Sequence, residues 1–586
     1  MSNYIEKFSS IQPSLAPQRM PINTVTAPVT VQNNTVPQYD QKTNILELFL
    51  KNQGIAMKPV VKVPDKTQKV SKPYKNDLRT KFQKNEAVIM GVIMRTLGAK
   101  DNTGNQLIRE GDVRGNFNNA VERLDELKNL GINTLHVLPI HPPGKENALG
   151  TAGSLYAPLE FLKIDPALDD PNDPRSVEEE FKNFVDECHN RGISVMLDLP
   201  SCASFDMFKQ RPELMAFEKN GTPKVPEGWV DIRMFDPWKD ETKRELNPDL
   251  LKLHLDYIDL YIKKFGVDGI RADVARAKPT EFWDIITNYA RKIDPECAFL
   301  AESYTNEDAE AQTYTKKDRP QDSLNAGFDS IYGQWHIFHE MHKASDVIDY
   351  VKENLKMSQE LPAGKSLIGS FGTHDDVSIM NHGGVNYVNL VSGIQATLPM
   401  LNPYYFDGYQ TGDTYDYDFD ENTLDEQTDT DTNKCFVHKH KPCIFNFSRP
   451  LIGEHPEVGD FMKATLDVRN NPKYHKTLTL GSFIPLKVDG NKNDQIIAFA
   501  RHWQGKTLLV VANKDVNSKE TGSIQIPGLK DSQKLTNLFP SYGEDSTIQA
   551  SGQRLNVELG KGRIHLFEID TPDIEKSGLE VFRQKQ

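Results

Sequence analysis

At 586 residues the chain is too long for a single hydrophobic core, so we expect two or three domains with a large central one. It carries 69 lysine and arginine residues against 83 aspartate and glutamate residues, a formal net charge of −14 that argues against nucleic acid and anionic membranes as partners. No run of about eighteen apolar residues occurs, the first residues lack the features of a signal peptide, and the cysteines are few and scattered. We therefore expect a cytoplasmic protein with reduced thiols.

The N-terminal stretch, residues 1–80, is rich in Pro, Gln, Asn, Val and Thr and shows no sustained hydrophobic period. Such a composition cannot bury enough apolar surface to offset the conformational entropy that is lost on folding. The pattern predicts a disordered arm ahead of the first domain.

From Glu86 onward, apolar runs that suit strands alternate with segments of helical periodicity. The first run, Ala87-Val-Ile-Met-Gly-Val-Ile-Met94, is apolar throughout, as expected of a strand that is buried on both faces. Helical spacing follows at 117–130, 177–191 and 279–293. The strand candidates in this part of the chain are 87–94, 132–139, 193–198, 269–274, 298–302, 328–332, 366–371 and 396–401. Eight strands that alternate with helices in about four hundred residues predict an α/β fold, a (β/α)₈ TIM barrel over residues 81–475.

The fourth and fifth strands carry two carboxylates near their carboxyl ends, Asp273 and Glu302. Parallel strands bring these ends to one rim of the sheet, where α/β folds bind ligands. A retaining glycoside hydrolase needs such a pair at a separation of about 5 Å: one carboxylate attacks the anomeric carbon and the other donates a proton to the leaving oxygen. Arg271 would hold the nucleophile in its ionised form. Taken alone, these residues fit a surface ion pair and a helix cap equally well.

Two insertions and a second domain complete the chain. Residues 203–245 form a short insertion after the third strand, and its aromatic residues suit either sugar-binding walls or core packing. Residues 413–433, after the eighth strand, are strongly acidic and predict a solvated loop. Short strands separated by Gly, Asn and Asp turns then predict an antiparallel β-sandwich at 476–571, and a polar tail follows at 572–586.

Six short blocks resemble, in order, the sequence blocks of glycoside hydrolase family 13, the α-amylase family. They are Gly153-Ser-Leu-Tyr156-Ala-Pro, Leu197-Asp198-Leu, Gly269-Ile-Arg271-Ala-Asp273, Leu300-Ala-Glu302, Ser370-Phe-Gly-Thr-His374-Asp375 and Thr397-Leu-Pro-Met-Leu-Asn-Pro-Tyr-Tyr-Phe-Asp-Gly. Each block alone is a weak signal, but their shared order and their positions at strand ends make a strong one. The resemblance runs from about residue 86 to residue 570 and implies a catalytic barrel with a C-terminal β-domain.

The resemblance also implies a role for each matched residue. Asp273 would be the nucleophile, Glu302 the general acid and then the general base, and Asp375 the residue that binds the sugar's hydroxyls most tightly in the transition state. The two anionic aspartates would raise the pKa of Glu302 and so keep it protonated at neutral pH. The predicted substrate-binding residues are Arg271, His374, Tyr156, Asp198 and Lys278.

Three positions depart from the family pattern. Cys202 and Ala203 stand where the first block usually ends in Asn-His, and Ala277 stands where the nucleophile block usually ends in His. The usual Asn contributes to a calcium site, so its replacement argues against calcium, and we predict neither a metal nor another cofactor. The segment from Asp273 through Lys278 to Trp283 also resembles the family's maltosyltransferases that use maltose 1-phosphate, although those enzymes lack the His-Asp pair that this chain keeps.

We therefore predict a retaining hydrolase that cleaves α-1,4 or related α-glucosidic bonds in an oligo- or polysaccharide α-glucan through a covalent glycosyl-enzyme intermediate. Two alternatives stay open at this point. One is an α-glucan transglycosylase, maltosyltransferase or sugar phosphorylase, because the same intermediate partitions between acceptors. The other is a catalytically inactive barrel that binds glucan or a partner protein, given the lost contacts in the first two matched strand blocks.

Overall fold

The computed structural model describes residues 74–100, 102, 111–148, 153–226, 229–304, 319, 321–414, 453, 455–541 and 547–586. The predicted disordered arm up to residue 73 and all but the first two residues of the predicted acidic loop at 413–433 lie outside these ranges. None of the helices in the described ranges combines the length and the apolar character that a bilayer crossing needs.

Eight parallel strands form the predicted barrel, and each pairs with the next along the chain. The eighth strand consists of two short runs around Pro403: the first run pairs with the seventh strand and the second pairs with the first strand, which closes the sheet. The strands are Ile89–Val92, Thr134–Val137, Ser194–Leu199, Gly269–Ala272, Ala298–Tyr304, Ser330–Tyr332, Ser366–Ile368, and Leu401–Asn402 with Tyr404–Phe406.

Helices follow each of the strands, which makes the fold a (β/α)₈ barrel. A capping box between Ser176 and Glu179 starts the helix after the second strand, where it satisfies backbone N–H groups that the helix leaves unpaired. In chain order the helices are Phe117–Val121, Leu124–Leu130, Val177–Asn190, Pro248–Ile258 with a continuing π-turn Asp259–Lys264, Thr280–Ile293, Asp322–Asn325, Ala344–Glu360, Gly384–Thr397 and Pro456–Asn470.

The antiparallel C-terminal domain is also confirmed. One sheet has four strands, another has three, and apolar side chains from both meet in a single core that includes Ile484, Leu509, Ile524 and Phe567. The sheets consist of Ser482–Pro485, Ile496–Trp503, Lys506–Asn513 and Ile564–Ile569, and of Val488–Asp489, Glu520–Gln525 and Arg554–Leu559.

The last residues of the chain, predicted as a polar tail, return to the barrel. Phe582 exchanges two backbone hydrogen bonds with Phe483, at 2.8 and 2.9 Å between N and O. The side chain of Gln584 accepts a hydrogen bond from Asn85 and donates one to the carbonyl of Lys365, each at 2.7 Å. Asn85 and Lys365 precede the first and seventh strands, so the tail fastens the amino-terminal face of the barrel.

Two sequence predictions about element limits were wrong. The eighth strand begins at Leu401 instead of residue 396, because the preceding helix Gly384–Thr397 is buried all round from Tyr387 onward and its apolar run continues into the strand without a visible period. The helix predicted at 117–130 is interrupted at residues 122–123. A helix at Leu78–Gln83 also packs into the barrel core, slightly ahead of the predicted start of the barrel at residue 81.

Candidate active site

Three carboxylates lie after or at the ends of the fourth, fifth and seventh strands, on the carboxyl rim of the barrel. Asp273 directly follows the fourth strand, Glu302 lies within the fifth, and Asp375 lies in the segment after the seventh. The fourth and fifth strands approach closely at Gly269, where a Cβ atom would lie 2.8 Å from the carbonyl oxygen of Ala298. Glycine at this position therefore permits the close approach of the two strands at their amino ends, where the pairing of the strands begins.

Arg271, fully buried in the barrel, joins three acidic side chains. Its Nη1 lies 2.9 Å from Asp198 Oδ1 and 3.1 Å from Asp273 Oδ1, and its Nη2 lies 2.8 Å from Glu302 Oε2. Its Nε donates to the hydroxyl of Tyr332 at 3.3 Å. One guanidinium thus contacts both of the predicted catalytic carboxylates: Nη1 donates a hydrogen bond to Asp273, and Nη2 forms an ion pair with Glu302 without hydrogen-bond geometry.

Asp198 lies beneath this pair and is also fully buried. It accepts hydrogen bonds from the Tyr156 hydroxyl at 2.8 Å and from His136 Nε2 at 3.1 Å, in addition to Arg271. Burial acts to raise the pKa of Asp198, but Arg271 and His136 outweigh it and lower the pKa to about 2. Asp198 is therefore ionised and balances the charge of Arg271.

His374 connects this buried layer to Asp375. Its ring stacks on Tyr156 with centroids 5.5 Å apart, and its Nε2 lies 2.7 Å from the Tyr156 hydroxyl and 3.2 Å from Asp375 Oδ1. Burial, with the charge of Arg271, lowers the pKa of His374 well below its ordinary value, so the ring is neutral. A neutral ring whose N–H faces both oxygens orients Tyr156 and Asp375 without adding charge.

Two of the carboxyl groups have a raised pKa. Burial raises the pKa of Glu302 well above its ordinary value against the opposing effect of Arg271, and the charges of Asp273 and Asp375 raise it further. Burial likewise raises the pKa of Asp375 to about 8, while Arg271 opposes this shift and Asp376 adds to it. A single arginine cannot neutralise so many acids in one buried cluster, so at least one proton stays bound at neutral pH.

Val274 joins the two catalytic carboxylates through a strained backbone. Its φ of 34° lies in the left-handed region, which is rare for a β-branched residue. This conformation directs its N–H to Glu302 Oε2 at 2.7 Å, immediately after Asp273. The strained backbone of Val274 therefore fixes the orientation of Glu302.

Lys278, predicted to bind substrate, is buried with only 3% of its surface exposed. Its ammonium donates to the carbonyl of Ser201 at 3.2 Å and lies over the rings of Phe235 and Trp283, at 5.4 and 5.8 Å from their centroids. Burial lowers the pKa of Lys278 to about 8. Its substrate contact stays a prediction, while the structure assigns its ammonium to the protein interior.

The position at which the resemblance implies calcium does not suit that ion. Calcium takes oxygen ligands, but the buried side chain there is the thiol of Cys202, which also feels the positive charge of Lys278. Across the residues that the structure describes, no three or more His, Cys, Asp or Glu side chains group so as to hold a metal ion. The residues present therefore do not fit a calcium site.

The insertion after the third strand contributes less to the site than its aromatic residues suggested. Phe235 and Trp238 are 2% and 7% exposed, so both pack in the interior, and only Trp229 is half-buried. Trp229 packs against a small cluster of Ala157, Cys202 and Ile232. Of these residues, Ala157 directly follows Tyr156 in the chain. Core packing thus explains two of the three rings, and Trp229 is the candidate that stays open to a sugar.

Sequence reasoning missed three residues that complete the site. His136 is the one titratable residue in the strand Thr134–Val137, Ser201 follows a strand without any motif, and Tyr332 ends the sixth strand. His136 donates from Nε2 to Asp198 and accepts at Nδ1 from the Tyr404 hydroxyl at 3.0 Å. The one available signal was His136, because a titratable residue in a buried strand needs a buried partner.

Replacing Arg271 with methionine should destabilise the fold strongly, because Asp198 would lose its charged partner in a site closed to water. Removing one partner of a buried ion pair costs about 3–5 kcal/mol. We expect a loss of that size in the free energy of unfolding by denaturant titration. Arg271→Lys keeps the charge without the forked geometry and should recover part of the loss, whereas a methionine variant as stable as the wild type would contradict the assigned role of Arg271.

Comparison with curated proteins finds α-glucan enzymes among the relatives. The chain is 23% identical over 449 residues to a cyclomaltodextrinase of Thermoanaerobacter pseudethanolicus, an alignment that covers 73% of this chain and 68% of the relative. It is 24% identical over 429 residues to an intracellular maltogenic amylase of Bacillus subtilis, covering 71% and 64%. It is 29% identical over 219 residues to an α-1,4-glucan:maltose-1-phosphate maltosyltransferase of Myxococcus xanthus, covering 34% and 31%. No family model matches the chain.

Solved structures agree in fold. A maltogenic α-amylase of Thermotoga neapolitana superposes with a TM-score of 0.62 at 20% identity, covering 84% of this chain and all of that structure. An α-amylase of Lactobacillus plantarum gives a TM-score of 0.62 at 21% identity and covers 83% of this chain and 99% of that structure. The barrel and the C-terminal β-domain together make up this shared fold.

Proposed function

We infer that this chain, a relative of the α-amylase family, is a retaining α-glucan hydrolase that works through a covalent glycosyl-enzyme intermediate. The observation that carries this conclusion is the pairing of Asp273 and Glu302 with adjacent nitrogens of one buried guanidinium, that of Arg271. Two carboxylates that face one arginine can flank the same sugar bond, and a retaining mechanism, which needs them about 5 Å apart, is what we propose for this pair.

In the first step, Asp273 attacks the anomeric carbon while the bond to the leaving sugar breaks. Glu302 donates its proton to the leaving oxygen, which becomes a hydroxyl group. Because Val274 N–H donates to Glu302 Oε2 and the charge of Arg271 faces the same oxygen, we assign the transferred proton to Oε1. The raised pKa of Glu302 keeps that proton in place at neutral pH until the substrate binds.

In the second step, water attacks the anomeric carbon from the side that the leaving sugar vacated. Glu302, now ionised, takes a proton from this water, the ester bond breaks, and the electron pair returns to Asp273 as a carboxylate. Two inversions at one carbon give net retention. Asp375 and His374 lie beside this carbon in the proposal and hold the sugar's hydroxyls as positive charge develops on the ring.

The names of the relatives support the substrate class. A cyclomaltodextrinase and a maltogenic amylase align over about 70% of this chain, and we propose an oligo- or polysaccharide α-glucan with α-1,4 or related α links as the substrate. The B. subtilis relative is described as intracellular, which supports the predicted cytoplasmic location.

Transfer of the sugar to another acceptor is the second candidate. The maltosyltransferase relative favours it. Of the three curated relatives described above, this one has the highest identity, 29%, but its alignment covers only 34% of this chain. Both reactions share the ester on Asp273 and differ in whether water or another acceptor reaches it.

Product analysis separates these reactions. Purified protein is incubated with maltooligosaccharides, with and without inorganic phosphate, and products are resolved by mass and by the anomeric configuration of the first-formed sugar. Shorter α-configured sugars support the hydrolase, longer sugars or a sugar phosphate favour transfer, and no turnover of any α-glucan would favour a barrel that only binds.

The pH dependence should reveal Glu302 as the acid. Because Glu302 must be protonated to act and burial raises its pKa, kcat/KM for maltooligosaccharides should hold through neutral pH and fall as the pH rises through that raised pKa. A donor with a leaving group that needs no proton, such as an α-maltosyl fluoride, should show a much weaker fall. If kcat/KM fell equally at alkaline pH for both donors, Glu302 would not be the acid.

A further inference from the structure

Ser201 makes two hydrogen bonds to the proposed nucleophile. It lies two residues after the third strand and is 4% exposed. Its backbone N–H and its hydroxyl both donate to Asp273 Oδ2, at 2.9 and 2.8 Å. The other oxygen, Oδ1, accepts from Arg271 at 3.1 Å. The two oxygens of one carboxylate thus have different partners: a neutral serine on one side and a charged arginine on the other.

Neighbouring groups also fix the backbone of Ser201. The buried ammonium of Lys278 binds its carbonyl oxygen at 3.2 Å, and the rings of Phe235 and Trp283 surround that ammonium. The next residues, Cys202–Ser204, pair with Ile232–Met234 in a short antiparallel ladder. The segment that carries Ser201 is therefore fixed on both sides, which allows its two donors to point at a single oxygen.

This arrangement selects the attacking oxygen. Two donors bind Oδ2, which leaves it little further acceptor capacity, whereas Oδ1 has one donor and keeps a lone pair for bonding. In the first step Oδ1 forms the bond to the anomeric carbon, and Oδ2 becomes the carbonyl oxygen of the ester. In the second step that bond breaks, and negative charge returns to both oxygens.

Hydrogen bonds to a carboxylate are stronger than hydrogen bonds to a neutral ester carbonyl. The donors of Ser201 therefore strengthen as the sugar departs from Asp273 and favour the second step over the persistence of the ester. Resting on the proposed function, we propose that Ser201 is a positioning residue that speeds release of the sugar from Asp273, and that Lys278 holds Ser201 in place for this purpose.

The test uses the full-length protein and an α-maltosyl fluoride, whose leaving group makes the first step fast. In Ser201→Ala the ester should accumulate, because one hydrogen bond to a charged group is lost. We expect kcat to fall about 10-fold or more and KM to fall in parallel, so that kcat/KM changes less than about threefold. An initial burst of fluoride and an intact-mass adduct on the protein should accompany this change.

Three further variants make the result specific. Ser201→Thr keeps the hydroxyl and should restore most of kcat, and Lys278→Met should act in the same direction as Ser201→Ala. Ser204→Ala is the matched control, because Ser204 is equally buried but caps the helix Phe205–Gln210 and does not touch Asp273. It should leave kcat, KM and the burst each unchanged.

The outcomes separate this inference from the proposed function. An active wild type whose Ser201→Ala variant forms no adduct, or loses kcat and kcat/KM equally, overturns the role of Ser201 alone. A wild type that releases no fluoride overturns both the proposed function and the inference that rests on it.

Discussion

Replacing Asp273 with alanine should abolish turnover of maltooligosaccharides while leaving the fold intact. The variant loses the atom that forms the covalent bond, so kcat should fall by at least ~10⁴-fold. Little stability should be lost, because ionised Asp198 keeps Arg271 paired. The measurement is the initial rate of reducing-sugar release, together with the thermal unfolding of both proteins.

Azide makes this expectation chemically specific. The space left by the aspartate side chain admits a small anion, and azide attacking an α-maltosyl fluoride there should give the β-configured glycosyl azide. Asp231→Asn is the matched control: Asp231 is also a buried aspartate, its pKa is raised to about 6 by burial, and it is hydrogen-bonded to none of the site residues. Its activity should match the wild type, and an active Asp273→Ala variant would show that another group is the nucleophile.

Replacing Glu302 with glutamine should give a loss that depends on the leaving group. On maltooligosaccharides the variant lacks the proton donor, and we expect kcat/KM to fall by ~10²–10⁴-fold. An α-maltosyl fluoride needs no proton to leave, so its first step should continue at near the wild-type rate. Comparison of kcat/KM for the two donors measures this difference directly.

The same variant should also stall after the first step, because no base remains to activate water. The control is Glu180→Gln, since burial raises the pKa of Glu180 to about 7 on a helix away from the site. That variant should retain both activities. If Glu302→Gln lost activity equally on maltooligosaccharides and on the α-maltosyl fluoride, Glu302 would not be the acid and base.

The sequence predicted the carboxylates of this site because each lies in a short block beside a strand. Asp273 and Glu302 lie near the carboxyl ends of runs that pattern alone predicts as strands, Asp375 follows another such run, and parallel strands bring these ends together. The resemblance to the α-amylase family is confirmed by the relatives, and it supplied the order of the blocks. Fold class and the place of the candidate site thus followed from local pattern.

The parts that the sequence did not predict depend on three-dimensional packing. Ser201 reaches Asp273 across 72 positions of the chain, and His136 reaches Asp198 across 62. No spacing rule relates such pairs, since only the closed sheet brings them together. Lys278 was predicted to face substrate from the resemblance of its segment to the maltosyltransferases. The carbonyl of Ser201 and two aromatic rings, which no local pattern reveals, are the interior partners that make its burial possible.

The central claim is a covalent ester between the sugar and Asp273, and the most direct measurement is to trap it. Glu302→Gln is mixed with an α-maltosyl fluoride, quenched in acid, and analysed by intact mass and by peptide mapping. The account predicts a mass increase of one maltosyl unit, located on Asp273 within the peptide that contains the fourth strand. An adduct on another residue, or none together with β-configured maltose as the first product of the wild type, would contradict it.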